Sequence, residues 1–195
     1  GDTLMQTLQP FATNGWQRLR YRIPAPDGER LLLDTLIWQA GPGGLRINEC
    51  MPHAADGADW VELRNESNCS VLLDGLILQE GSWEFVLSGL LEPGELLLIA
   101  ADCPAGLNPA ACCEVNVRLR LDGQLILETA DHQLQEEFCW RRNELIADRS
   151  LERVGSGLPA DSPQTWAPSR VAGGTPGRIN SLWQDNSAPA KGFHI

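Results

Sequence analysis

LRINECMPHAADGADWVELRNESNCSVLLDGLIL, residues 45–78, is the stretch whose reading decides the fold. Leu45-Arg46-Ile47-Asn48-Glu49 alternates apolar with polar, and Trp60-Val61-Glu62-Leu63-Arg64-Asn65 repeats the pattern with larger side chains. Alternation with a period of two marks a strand with one buried face. Pro52, Asp56, Gly57 and Asp59 punctuate the loop between them. Residues Asn65 to Asn68 form a turn cluster, and Asp74-Gly75 opens a third strand through Leu76 and Leu78.

Working outward, strand signals recur at short and fairly regular spacing. They fall at Trp83–Leu87, at the continuous apolar run Leu96–Ala100, at Val115–Leu121 with Asn116, Arg118 and Arg120 facing out, at Gln124–Thr129, at Glu137–Arg142 and at Ser150–Val154. Glu92-Pro93-Gly94-Glu95, Asp122-Gly123 and Asp131-His132 supply the turns between them. Residues 102–113 read as a loop with at most one helical turn. No helical period appears, so the reading is an all-β sandwich over residues 45–181. Its core is expected from Leu45, Ile47, Trp60, Val61, Leu63, Leu76, Leu78, Phe85, Leu96, Leu98, Leu119, Leu125, Leu127 and Leu151. Trp166 is expected to anchor the looser segment that begins at Gly155. Upstream, Leu19–Ile23 and Leu31–Trp38 flank Pro26-Asp27-Gly28, which predicts an N-terminal β-hairpin followed by a Gly-rich linker at 41–44. That hairpin resembles the end of an upstream module, and it could equally dock on the sandwich. Residues 182–195 read as a linker and the first strand of a following module.

A net charge of −11 over 195 residues disfavours non-specific binding to nucleic acid, because cations must face the phosphates. No apolar run approaches the ~18–20 residues needed to span a bilayer, and no leader segment is evident. Six cysteines without a paired CxxC spacing point to disulfides in an oxidising compartment rather than to structural zinc. The implied location is extracellular, cell-surface or periplasmic.

Taken in order, several motifs resemble the lamin tail domain, an immunoglobulin-like β-sandwich that also occurs in bacterial secreted proteins. They are Ile47-Asn48-Glu49, Trp60 to Asn65, Leu73 to Leu78, Leu91-Glu92-Pro93-Gly94, Leu121 to Leu127, Ser150-Leu151-Glu152-Arg153, and Trp166 with Gly174 to Asn180. The cysteine-rich loop 102–114 is not part of that pattern. The resemblance implies a non-catalytic interaction or architectural module of a multidomain protein, monomeric and without cofactors. It also implies a buried ion pair between Glu62 and Arg153.

Other chemistry competes with that reading. Glu49 and Glu62 on neighbouring strands form a carboxylate pair of the kind acid–base hydrolysis uses, but both sit at motif positions that structure explains equally well. His53, His132 and His194 lack a nucleophile-elbow context. His53, Asp56 and Asp59 are a poor set for calcium, which takes six to eight oxygens. A coplanar exposed pair such as Trp83 with Trp140 would make a platform for sugar rings. The alternative to an interaction module is therefore a carbohydrate- or calcium-binding accessory module. Counting strand directions places Cys50, Cys103, Cys112 and Cys113 at one end of the sandwich and Cys69 and Cys139 at the other. This predicts bridges Cys103–Cys112, Cys50–Cys113 and Cys69–Cys139, with Cys112 and Cys113 nearly interchangeable.

Overall fold

The structure, a computed structural model, describes residues 15–25, 28–39, 44–55, 58–104, 107 and 111–184, the first two segments by their backbone. Strands β1 (Gly15–Ala25) and β2 (Gly28–Gln39) form the expected hairpin, longer than its alternating segments suggested. Trp16 lies opposite Trp38, and a bulge interrupts the register at Tyr21/Arg22.

The remaining strands build a nearly all-β body around one main core. The larger sheet has six strands: β3 (Leu45–Met51), β4 (Trp60–Asn65), β9 (Leu96–Ala100), β10 (Cys112–Glu114), β13 (Leu151–Arg153) and β14 (Trp166–Pro168). Their order across the sheet is β10-β9-β4-β3-β13-β14. The smaller sheet runs β12-β11-β6-β7, from β6 (Ile77–Glu80), β7 (Trp83–Val86), β11 (Gly123–Glu128) and β12 (Leu134–Trp140). A two-residue pair, β5 (Val71–Leu72) with β8 (Leu90–Leu91), closes one end. No helix among the described residues is long and apolar enough to cross a membrane.

Alternation explains which face is buried. Leu45, Ile47, Val61 and Leu63 of the large sheet pack with Leu76, Leu78, Leu125, Leu127, Phe138 and Trp140 of the other layer. Each such side chain contributes ~1.5–3 kcal/mol by leaving water. Trp60 and Leu98, expected in this core, are buried on the opposite face of the large sheet, with Met51 and Ala100. Phe85 and Leu96 are only half-buried.

Three expectations need correction. Val115–Leu121 keeps its in–out phase, with Val117 and Leu119 buried, but forms no regular strand. It is the crossing from the large sheet to the small one. The Asp59 carboxylate accepts the Leu119 N–H at 2.8 Å, where a strand partner would otherwise bond it. Ahead of it, the end of the expected loop at 102–113 is instead strand β10, which pairs with β9 in parallel. Arg120 is also less free than an outward position implies, because its Nε lies 2.7 Å from Oε1 of buried Glu80.

Of the three expected bridges, Cys103–Cys112 forms, with Cα atoms 6.0 Å apart. Cys50, Cys69, Cys113 and Cys139 are free thiols. Cys50 and Cys113 do lie in one cross-strand row, Cys50–Val61–Ile99–Cys113. Three strand spacings of ~4.8 Å put them ~14 Å apart, far beyond bridging distance. Sharing an end of the sandwich was too weak a criterion. Cys69 and Cys139 fail it too: Cys69 sits partly buried in the loop after β4, and Cys139 projects from the outer edge strand of the small sheet.

Candidate functional site

The outer face of the large sheet carries an unusual row. Glu152 on β13 lies opposite Glu49 on β3, and Glu49 opposite Glu62 on β4. All three are fully buried, because the segment from Gly174 to Leu182 covers them. Glu49 accepts hydrogen bonds from the Ser150 hydroxyl at 2.5 Å and from the Thr175 N–H and hydroxyl, both at 2.8 Å. Glu62 accepts from the Asn48 amide at 2.7 Å and the Gly177 N–H at 2.5 Å. Glu152 accepts from the Ser181 hydroxyl at 2.9 Å and the Leu182 N–H at 3.0 Å. Among the described residues none of the three forms an ion pair. Burial without a counter-charge favours the neutral form, and pushes Glu49 up to about 7 and Glu62 up to about 8. The carboxylate pair considered for hydrolysis is thus closed off and committed to clasping the chain's own backbone.

Arg153 does not pair with Glu62. On β13 it shares the inner face with Leu151, whereas Glu62 shares the outer face with Trp60, so the sheet itself separates them. Its partner is Glu136 on β12, 2.7 Å away across the sandwich. Its Nε donates to the Ile47 carbonyl at 2.9 Å and one Nη to the Leu158 carbonyl at 2.7 Å. Its guanidinium also lies 4.9 Å from the Trp166 ring centroid. Trp166 stacks on Phe138 at 3.7 Å and donates its Nε1 N–H to the Ala160 carbonyl. That is the anchoring role read from the sequence.

The proposed aromatic platform is not assembled. Trp140 is buried and donates its Nε1 N–H to the Arg120 carbonyl. Trp83 is half-buried and stacks on Phe85 two residues along β7, at 6.4 Å between centroids. Of the calcium set, Asp56 lies outside the described residues and Asp59 is bonded to Leu119. Among the described residues no three acidic, His or Cys side chains converge as metal ligands. His132 pairs with Glu128 at 2.6 Å, and His194 lies outside the described residues.

The open concavity is elsewhere, and nothing in the sequence reading singled it out. A cleft of about 530 Å3 separates β12 from β14, the edge strands of the two sheets, over a floor of Phe138, Leu151 and Trp166. A second depression of about 450 Å3 continues it along Leu134 to Glu137, walled by residues 157–161. Glu137, Glu144 and Asp161 stand on the rim of the first. The alternation of Phe138 and Trp140 with Glu137 and Cys139 was visible in the sequence. That β12 is an edge was not, because the opposite wall comes from a loop some twenty residues away. In comparisons with known families and with characterised proteins, no family model matches the chain and no relative is found.

Proposed function

We propose that the chain is a non-catalytic interaction module, an immunoglobulin-like sandwich of the lamin-tail type, within a larger secreted or cell-surface bacterial protein. One observation carries this reading. The polar groups of the motifs (Asn48, Glu49, Glu62, Glu152, Arg153, Asn180) are bonded to one another or to the backbone, while the large concave surface left open follows an edge strand. Side chains fixed in this way hold a shape rather than turn over a substrate. The Cys103–Cys112 bridge supports an oxidising compartment.

A carbohydrate-binding accessory role is the second reading, and the Trp83–Phe85 stack at the other edge of the small sheet is what favours it. The protein should be tested on immobilised peptides, on insoluble polysaccharides with and without calcium, and against generic ester, phosphate and glycoside substrates. The interaction reading expects retention by peptides and no turnover. Turnover, or retention by polysaccharide alone, would overturn it.

A further inference from the structure

The outer edges of the two sheets are unequal. β7 offers four residues, β10 three, and β14 three with Pro168 at its end. β12 offers seven, Leu134 to Trp140, with neither proline nor lysine among them. Exposed edges are usually kept short, or are blunted by proline, lysine or an inward-pointing charge, because their unpaired N–H and C=O groups recruit another strand. On β12 the inward charge is Glu136, which Arg153 already neutralises inside the sandwich. Among the described residues the long edge has no strand partner.

We infer that the free edge of β12 accepts an extended basic peptide as an added strand. This rests on the interaction-module reading and names its partner. Strand addition draws affinity from main-chain hydrogen bonds and specificity from pockets that meet alternate side chains. Along β12 the buried members Glu136, Phe138 and Trp140 point into the sandwich, and Gln135, Glu137 and Cys139 point away from it. An incoming strand therefore lays one set of side chains over the apolar cleft at Phe138 and Trp166, and the other beside Glu137.

Charge sets the second set as Lys or Arg. Glu137, Glu144 and Asp161 line the cleft. Arg46, the one cation among the described lining residues, lies at the far end facing Glu136. The whole chain carries −11, which steers a cationic segment inward. The opposite wall is already in place: Arg153, Thr165 and Trp166 each donate a hydrogen bond to a carbonyl of Leu158, Pro159 or Ala160. A preformed groove avoids the cost of ordering a loop on binding. Six residue steps at ~3.3 Å give ~20 Å of edge, room for a peptide of about seven residues.

The probe is a labelled seven-residue peptide alternating Lys and Val, followed by fluorescence anisotropy with the intact protein. Its comparators are a Glu/Val peptide and two N-methylated Lys/Val peptides, methylated on the Lys amides or on the Val amides. Only one set of amides faces β12, so one methylated peptide should lose about thirtyfold and the other little. Glu137→Lys should weaken the Lys/Val peptide about tenfold, and Glu114→Lys, on the β10 edge, should not. Thermal melts establish that both variants are folded. Equal binding by the two methylated peptides, binding by the Glu/Val peptide, or indifference to Glu137→Lys would overturn strand addition. Peptides that bind but are insensitive to Glu137→Lys leave the interaction module standing without this edge. Retention by polysaccharide with no peptide bound removes the module reading itself.

Discussion

Arg153 has no exposed surface, and burial lowers its pKa while Glu136 opposes that shift. Glu136 is raised by burial and held down chiefly by Arg153. Losing one partner strands the other charge out of water, so Arg153→Met should cost ~3–5 kcal/mol in urea unfolding. The double variant Arg153→Met with Glu136→Met should recover much of that loss, because the uncompensated charge goes with its partner. Glu49 and Glu62 make the opposite case, since no cation among the described residues is paired with them. Their folded values of about 7 and about 8 lie above the ordinary 4.5, so the native state holds protons that the unfolded chain releases. Their contribution is therefore fully present below about 4.5, declines as pH climbs through about 7 and 8, and is level beyond. Each unit of separation corresponds to about 1.4 kcal/mol. Urea midpoints measured across that window should fall with rising pH. Glu49→Gln should flatten the fall, its amide donating to the Ser150 or Thr175 hydroxyl in place of the acid proton.

Among the elements, the clasp over the large sheet turns on Gly174. Its φ of +76° is one that side chains rarely adopt, and an added Cβ would sit 2.7 Å from Glu49 Oε1, Ser150 Oγ and Trp60 Cζ2. Gly174→Ala should cost ~2–4 kcal/mol, through backbone strain and overpacking together. Gly157→Ala, with φ +70° but open space around it, should cost only the strain. A pair of thermal melts separates the two terms. Strands β3, β4 and β11 were legible because apolar side chains alternate with polar ones along them, and β9 because a continuous apolar run marks a strand buried on both faces. β14 was not, since three residues ending on Pro168 carry no period. Nor was the parallel pairing of β10 to β9. The misassigned ion pair has a related cause. Counting by twos from Trp60 puts Glu62 on the outer face, and from Leu151 puts Arg153 on the inner one. Glu152, one residue earlier, is the side chain in register with Glu49 and Glu62. The groove needed tertiary structure, because which strand ends a sheet depends on pairings made by the rest of the chain.

For the whole molecule, one bridge and four thiols define the covalent state. Closing about ten residues, Cys103–Cys112 should contribute ~2.5–3 kcal/mol, and reduction should release β10 from the edge of β9 before the rest unfolds. Alkylation of the native protein followed by mass mapping should label Cys139, which is exposed, first, and Cys50 only on unfolding. Burial raises the Cys50 thiol well above its usual range, which slows it further.

The row Glu152–Glu49–Glu62 lastly sets a schedule for biosynthesis. A nascent chain can pair β3 with β4 and β9 as soon as residue 100 has emerged, but Glu49 and Glu62 on that sheet then face water, ionised and without Thr175 or Gly177, and Glu152 joins them with β13, still without Ser181 or Leu182. Their charge keeps the half-made sheet soluble, and it also keeps it from closing. The final lock is added by the last residues of the domain to be made, so the module matures when its C-terminal end arrives rather than strand by strand. A chain ending at residue 172 should remain protease-sensitive and refold upon addition of a peptide spanning residues 173–184; a chain ending at 184 should need no such help.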